Sequence, residues 1–544
     1  MTYAPKDKQI DVITSTAPVV VVLGGAGTGK TTTAVAAARR HLERADEKLA
    51  MARRAAARDG VRTRLPAPER ALFLSFSRTA VAQIIDRAAA VIGPFRPRFE
   101  VSTFHGFAWR VIRSFGPHHG YPPPQTVLSK ANSLVAGAPL GLTYDELIPA
   151  ATALLALPKV QAHYRGRYGI VICDEFQDTD ASEWDFLQLI APPARRILLG
   201  DANQCIYTFK KGVDATARIG TAMALPRAVG VQLPPTSFRD PSGMLPAAAE
   251  AARRRDFDDP AIRAAADAGR LSITRIEDGI GHRHVLELAR QARSQGDTVS
   301  IFTHTNAATT ELSDALTADG LAHEQVGFTE AYGEALPAQL AMVQFALGES
   351  APVLRSLAVY VSATQGGNKM PPLARQMLNP SDNPVLGRAF ERLAKDLRAA
   401  AGHPDELADV VANAYRRIGT HRGQETWIQA AQLTRATLRS LGDELDIEAA
   451  TDRLLRARDE ILVGSHTTRR FPIQVMNLHQ TKGREADTTI LLLGSEEFYG
   501  YEGEPFPNGS KLLYVVMTRA RKHARLVVPE QSHPLWAPLV AALS

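Results

Sequence analysis

Gly24-Gly25-Ala26-Gly27-Thr28-Gly29-Lys30-Thr31-Thr32 follows the apolar run Val19 to Leu23 and opens an Ala-rich helical stretch. A strand, a Gly-rich loop, a Lys-Thr pair and a helix together make a phosphate cradle. Backbone N–H groups and the helix N-terminus face the anion, Lys30 reaches the terminal phosphates, and Thr31 can hold Mg²⁺. A second stretch completes the chemistry: Ile170-Val171-Ile172-Cys173-Asp174-Glu175-Phe176-Gln177-Asp178-Thr179. It is an apolar strand ending in two carboxylates, where a metal-binding Asp174 and a water-orienting Glu175 belong. A Gly turn or an acidic strand end alone could arise by chance. Both in this context imply a nucleoside-triphosphate hydrolase that uses Mg²⁺.

The second stretch, Asp174-Glu175-Phe176-Gln177-Asp178-Thr179, resembles motif II of the UvrD/PcrA/Rep branch of superfamily 1 DNA helicases. Further matches follow in that family's order. Gln9 resembles the adenine-reading Q motif, Leu74 to Ala80 motif Ia, and Ser102 to Phe107 motif Ib. Leu199 to Phe209 is similar to motif III, Ser237 to Asp240 to motif IV, Asn477 to Glu485 to motif V, and Tyr514 to Ala520 to motif VI. Motifs II, III, V and VI are specific; Q, Ia and IV are weaker taken singly.

The resemblance implies roles. Nucleotide binding falls to Gln9, Gly24, Gly25, Ala26, Gly27, Thr28, Gly29, Lys30, Thr31, Thr32, Phe238, Arg239, Glu485 and Arg519, with Mg²⁺ held by Thr31 and Asp174. Lys30, Glu175, Gln204, Arg239 and Arg519 are the implied catalytic set, Gln204 sensing the terminal phosphate and Glu485 contacting the ribose. Phe238 stands where the family usually has a Tyr over the adenine; it keeps the ring and loses the hydroxyl. Phe76, Arg78, Thr103, Phe104, His105, Tyr207, Phe209 and His479 are the candidate DNA contacts, because rings stack on unpaired bases whatever their sequence. Phe76 and Phe104 could equally be core. Arg78 and Thr79 depart from the family's usual Asn-Lys, which puts the phosphate contact there in doubt.

The 544 residues are too many for one core. Strand-like runs at Val19–Leu23, Ala71–Phe76, Gly169–Cys173 and Arg196–Gly200 alternate with helical stretches, so an α/β fold with a parallel sheet is expected. A second set, Val299–Thr303, Ile473–Leu478, Thr488–Leu493 and Arg525–Pro529, implies a second sheet. Pro122-Pro123-Pro124 marks a block inserted into the first, and the spacing of Leu433, Leu438, Leu441 and Leu445 marks a helical block inserted into the second. The family plan is two RecA-like domains, each carrying an insertion. Mapped here it gives residues 1–112 and 168–228 for domain 1A, 113–167 for 1B, 229–364 and 466–544 for 2A, and 365–465 for 2B. Both insertions look small, and the family's long C-terminal extension is missing. The charged stretch from His41 to Arg70 reads as a solvated helix or a partner-binding arm.

Lys plus Arg exceed Asp plus Glu, 63 to 57, which suits a polyanion without requiring one. The two cysteines, Cys173 and Cys205, have no metal-ligand spacing, and each lies in an apolar run. A reduced cytoplasmic chain with buried thiols is expected. No apolar run is long enough to span a bilayer. The resemblance implies an ATP-dependent single-stranded DNA translocase and 3′-to-5′ helicase acting on single strands and tailed duplexes. The reading held beside it is a nucleic-acid-activated ATPase sensor or regulatory subunit with little unwinding. A GajB-like component of a Gabija anti-phage system, paired with a nuclease, is one concrete version.

Overall fold

In the computed structural model, residues 4–543 are described apart from 59–65, 77, 122–125, 137–140, 206–211, 278–280, 328, 368, 420–422, 442–445, 465–470, 482, 494–501 and 531–532. Two six-stranded sheets organise the chain. The first holds β1 (Val19–Leu23), β2 (Arg70–Ser75), β3 (Phe99–Thr103), β6 (Tyr168–Cys173), β7 (Arg195–Gly200) and β8 (Ala228–Gln232), in the order β3-β2-β6-β7-β1-β8. A two-residue pair, β4 (Val127–Leu128) and β5 (Leu142–Thr143), lies apart from it. The second holds β9 (Leu271–Ile276), β10 (Val299–Thr303), β11 (Glu324–Gln325), β12 (Ile473–Asn477), β13 (Ala486–Leu492) and β14 (Ala520–Pro529), in the order β11-β12-β10-β13-β14-β9. Every pairing in both sheets is parallel. The fold is therefore the expected pair of RecA-like α/β domains.

Parallel strands covered by helices on both faces read as unbroken apolar runs. β1 shows the reason: Val19 and Val21 enter one core layer, and Val20 and Val22 the opposite one. The phosphate loop then leaves the C-terminal end of β1, between β7 and β8. Ligands of open parallel sheets bind at those strand ends.

The helix of the short first insertion packs onto the first sheet domain. Leu147, Ile148, Ala151, Leu154 and Leu155 of helix Tyr144–Leu155 share one apolar cluster with Phe107 and Ile112 of helix Phe104–Phe115 and with Leu72 and Val171 of the sheet. The helices of the second insertion do not pack alone. Helices Thr329–Ala346 and Val353–Ala363 share a core with the helices between Pro372 and Val463, centred on Leu336, Tyr360, Trp427 and Leu454. We propose on that packing that the helical body starts at Thr329 rather than at residue 365. Of the leucines that marked it, Leu438 is in this core and Leu433 packs against it; the side chains of Leu441 and Leu445 lie outside the described residues.

A buried ion cluster joins the two insertions. Arg458 donates to Glu334 (2.5 Å) and to Asp459 (2.8 Å), and also to the Val127 carbonyl (2.9 Å). Removing one partner of such a cluster leaves charge stranded away from water. Arg458→Met is therefore expected to lower the stability of the helical body by roughly 3–5 kcal/mol. Urea unfolding followed by tryptophan fluorescence, in a background where Trp109, Trp184 and Trp536 are replaced by Phe so that Trp427 alone reports, checks this, and a loss below about 1 kcal/mol would show that water reaches the cluster. No helix among the described residues is long and apolar enough to cross a membrane.

Candidate functional site

Glycines at positive φ give the loop its shape. Gly27 (φ 77°) and Gly29 (φ 85°) adopt the left-handed backbone that a side chain resists. A Cβ at Gly27 would lie 2.4 Å from the Ser237 hydroxyl, so another residue is excluded on two counts. Lys30 is the first residue of helix Lys30–Arg58, and its ammonium folds back onto the carbonyls of Gly24 (2.5 Å) and Gly25 (3.0 Å). Thr28 turns its hydroxyl onto the Gly25 carbonyl (3.0 Å). Thr31 and Thr32 follow in the first turn, both partly buried.

Gln9 and Phe238 meet at Gly29. Gln9, on helix Asp7–Thr14, donates to the Thr28 carbonyl (3.3 Å) and lies 2.9 Å from where a Gly29 Cβ would be. Phe238 is anchored by its N–H to the Gly27 carbonyl (2.7 Å), yet its ring is 51% exposed. An exposed ring beside a phosphate loop has a free face on which a flat group can stack.

The carboxylates stand at the end of β6. Burial and the neighbouring Glu175 push the Asp174 carboxyl up to about 7, against the pull of Lys30 and Arg87. A carboxylate so short of countercharge suits a divalent cation, and Thr31 carries a hydroxyl in the first turn of helix Lys30–Arg58. Glu175 has φ 52°, a left-handed conformation that costs a non-glycine residue of the order of 1–3 kcal/mol. Gln177 donates to its carboxylate (2.6 Å).

Across the cleft, the second sheet domain supplies cations. Arg239 donates to Glu485 (2.7 Å) and to the Thr518 carbonyl (2.6 Å). Arg519 is 2% exposed and donates to Gln204 (2.7 Å) and to the Val515 carbonyl (3.1 Å). Gln204 in turn donates to Asp201 (2.7 Å), whose N–H meets Gln177 (3.2 Å). A continuous hydrogen-bonded path thus joins Arg519 on one domain to Glu175 on the other. The sequence reading assigned no role to Gln177, Asp201 or Tyr514, although all three stand inside the quoted motifs. Tyr514 accepts from the Ala26 N–H across the cleft (3.4 Å). Glu485, read as a ribose contact, is held here by Arg239, Arg521 and Arg87, the last from the first domain.

The candidate DNA residues fall less neatly. Phe76 stacks on Phe104 with ring centroids 4.8 Å apart, and Phe104 is 1% exposed. Phe104 is core in this conformation, and Phe76 is its partly buried cover. Thr103 caps helix Phe104–Phe115, accepting from Gly106 (2.9 Å) while donating to the Val463 carbonyl (2.8 Å). His105 lies flat on Tyr144, centroids 3.7 Å apart. Tyr207 and Phe209, and the side chains of Arg78 and His479, lie outside the described residues. Cys173 and Cys205 are buried, and burial pushes the Cys173 thiol up.

Comparison with known proteins agrees with this geometry. The model of the UvrD/REP helicase N-terminal domain matches residues 6–137 and 121–217. The ATP-dependent DNA helicase UvrD1 of Mycobacterium tuberculosis (strain ATCC 25618 / H37Rv) is 27% identical over 207 residues, 35% of this chain and 27% of that protein. UvrD1 of Mycobacterium leprae (strain TN) is 32% identical over 81 residues, 13% of this chain and 10% of that protein. The RecBCD enzyme subunit RecB of Mycobacterium tuberculosis is 43% identical over 70 residues, 12% of this chain and 6% of the relative. The matched stretches therefore cover 27% or less of these relatives' lengths. Over residues 6–217 the chain is similar to the N-terminal domain of UvrD/REP helicases.

Proposed function

We propose that this UvrD/Rep-like chain hydrolyses ATP and uses the cycle to move along single-stranded DNA, 3′ to 5′, opening duplex ahead of it. One observation supports hydrolysis above the rest. Arg239 and Arg519 of the second sheet domain stand at a phosphate loop and a carboxylate pair carried by the first. Hydrolysis builds charge on the transferring phosphoryl group and the leaving oxygen, and cations placed there stabilise it. Lys30 supplies one positive charge from the loop, and the two arginines supply two from across the cleft. Mg²⁺ held by Thr31 and Asp174 would neutralise the phosphates when bound. Glu175 takes the proton of the attacking water, and Gln177 fixes the carboxylate that does so. Because the cations sit on separate domains, turnover is tied to closure, which is what a stepping motor needs.

The DNA half of the reading rests on the likeness to UvrD and Rep helicases, and so does the polarity. Mixed-sequence single-stranded DNA is expected to raise the ATPase rate strongly, since stacking and phosphate contacts tolerate sequence. The concentration for half-stimulation should climb steeply with salt through counterion release. A rate indifferent to nucleic acid at low salt would sink the translocase reading. Strand displacement from 3′-tailed, 5′-tailed and blunt duplexes tests polarity, and a preference for the 5′ tail would reverse it.

A second reading is an ATPase sensor or regulatory subunit that responds to nucleic acid and unwinds little alone, working with a nuclease or another protein. The bonding of the helical body to the first insertion through Arg458 favours it, because that body is held against the first domain rather than free to grip a fork. Robust unwinding by the isolated chain, at concentrations too low for association, would rule this version out.

A further inference from the structure

Glu485 is the meeting point of three guanidinium groups. Arg239 donates to one carboxylate oxygen (2.7 Å) and Arg521 to the other (2.6 Å). Arg87 donates to that second oxygen from helix Arg78–Ile92, on the first sheet domain. Arg239 and Arg521 belong to the same side of the cleft as Glu485; Arg87 alone crosses it. Glu485 and Arg239 are nearly buried, at 10% and 11% side-chain exposure, so this pairing is poorly screened. Among the described residues the Arg239 guanidinium has two bonded anchors, Glu485 and the Thr518 carbonyl. Fixing Glu485 therefore fixes one of the two points that hold the Arg239 side chain.

The geometry points to Arg87 as a positioning residue that acts through Glu485: it draws the second domain onto the first and holds Arg239 at the phosphate loop. The inference rests on the ATPase reading for its kinetic consequence, but the bridge itself is independent of it. Three guanidinium groups around one carboxylate leave net positive charge at the mouth of the cleft. A triphosphate entering there is attracted whether or not Arg87 is present, so loss of Arg87 should act on closure more than on nucleotide capture.

Two readouts test it. With saturating single-stranded DNA, Arg87→Gln is expected to lower kcat by about tenfold, with the KM for ATP within about twofold of the parent. Arg87→Lys should recover part of the rate, because it restores the charge without the fork. Adding Arg87→Gln to Glu485→Gln should reduce kcat by less than about twofold further, since the two residues act as one unit. An unchanged kcat in Arg87→Gln, or a loss that multiplies onto that of Glu485→Gln, would overturn the proposal. The second readout needs no turnover. Met51, 66% exposed, lies on the first domain, and Arg283, with 86% side-chain exposure, on the second. Both can be changed to Cys for fluorescent labels, because Cys173 and Cys205 are buried. In nucleotide-free protein Arg87→Gln should widen the label separation. If the parent hydrolyses no ATP, the ATPase reading fails and the label separation decides: widening upholds the bridge, and an unchanged separation overturns it.

Discussion

Glu175→Gln is expected to cut ATP turnover by about 10²–10⁴-fold, the usual contribution of a positioned general base, while nucleotide binding stays near that of the parent. The geometry explains why the two effects should separate. Gln keeps the size of Glu, and its amide oxygen can still accept from Gln177, which bonds the carboxylate at 2.6 Å. The left-handed turn at Glu175 is set by the backbone and should persist. What is lost is the ability to take a proton. Lys30→Ala should behave differently. The ammonium that now bonds the Gly24 and Gly25 carbonyls is the loop's own charge for the phosphates. Its loss should weaken binding as well as turnover. Equilibrium binding of a fluorescent ATP analogue, set beside steady-state turnover, distinguishes the two variants. A Gln variant that turns over within about tenfold of the parent would remove Glu175 from the role of base.

In the two six-stranded sheets the central strands are legible in the sequence and the rim strands are not. β1, β2, β6 and β7 in the first sheet, and β10, β12, β13 and β14 in the second, all read as apolar runs. The other four, β3, β8, β9 and β11, are the outermost strands of their sheets. An edge strand has one neighbour and partial cover, so its residues need not be apolar: Ala228–Gln232 carries mostly exposed positions, and Phe99–Thr103 contains Glu100. The helical body is legible as helix; which earlier helices pack into it is not. Thr329–Ala346 is a helix of ordinary composition, and its allegiance is fixed by what it packs on. The same division holds at the site. Residues within one loop or strand end were placed by motif spacing. Contacts between domains were not: Arg87, 398 positions from Glu485, has no local signal. Nor does spacing distinguish a ring that meets a base from one that fills the core, as Phe104 does here.

The largest consequence of a contact between domains should be seen at Arg519. Arg519→Ala is expected to lower DNA-stimulated turnover by about 10³-fold or more, within the range for arginines that stabilise the transferring phosphoryl group. Burial, with Arg239 adding repulsion, pushes the Arg519 guanidinium down to about 10, while Glu175 and Glu485 oppose the shift; it is therefore still charged at neutral pH. Two consequences separate a catalytic cation from a structural one. The first is stability. Truncation leaves the buried Gln204 amide oxygen without its donor and opens a small cavity, so a modest fall in melting temperature is expected, far too small to unfold the protein at the assay temperature, while turnover collapses. The second is coupling. Arg519 reaches Glu175 through Gln204, Asp201 and Gln177, with successive bonds of 2.7, 2.7, 3.2 and 2.6 Å. Gln204→Ala breaks this path and should cost less than Arg519→Ala, of the order of 10–10²-fold. Once Arg519 is gone the same change should cost almost nothing more, because groups that act as a unit are non-additive. Arg519→Lys should not rescue, since one ammonium cannot serve Gln204, the Val515 carbonyl and a phosphoryl oxygen in the geometry of a planar fork. Steady-state turnover and thermal melting of the three single variants and the Arg519→Ala/Gln204→Ala double decide the matter. Independent, multiplying losses would leave Arg519 a phosphate contact with no link to the base, and turnover of Arg519→Ala within about tenfold of the parent would remove it from catalysis altogether.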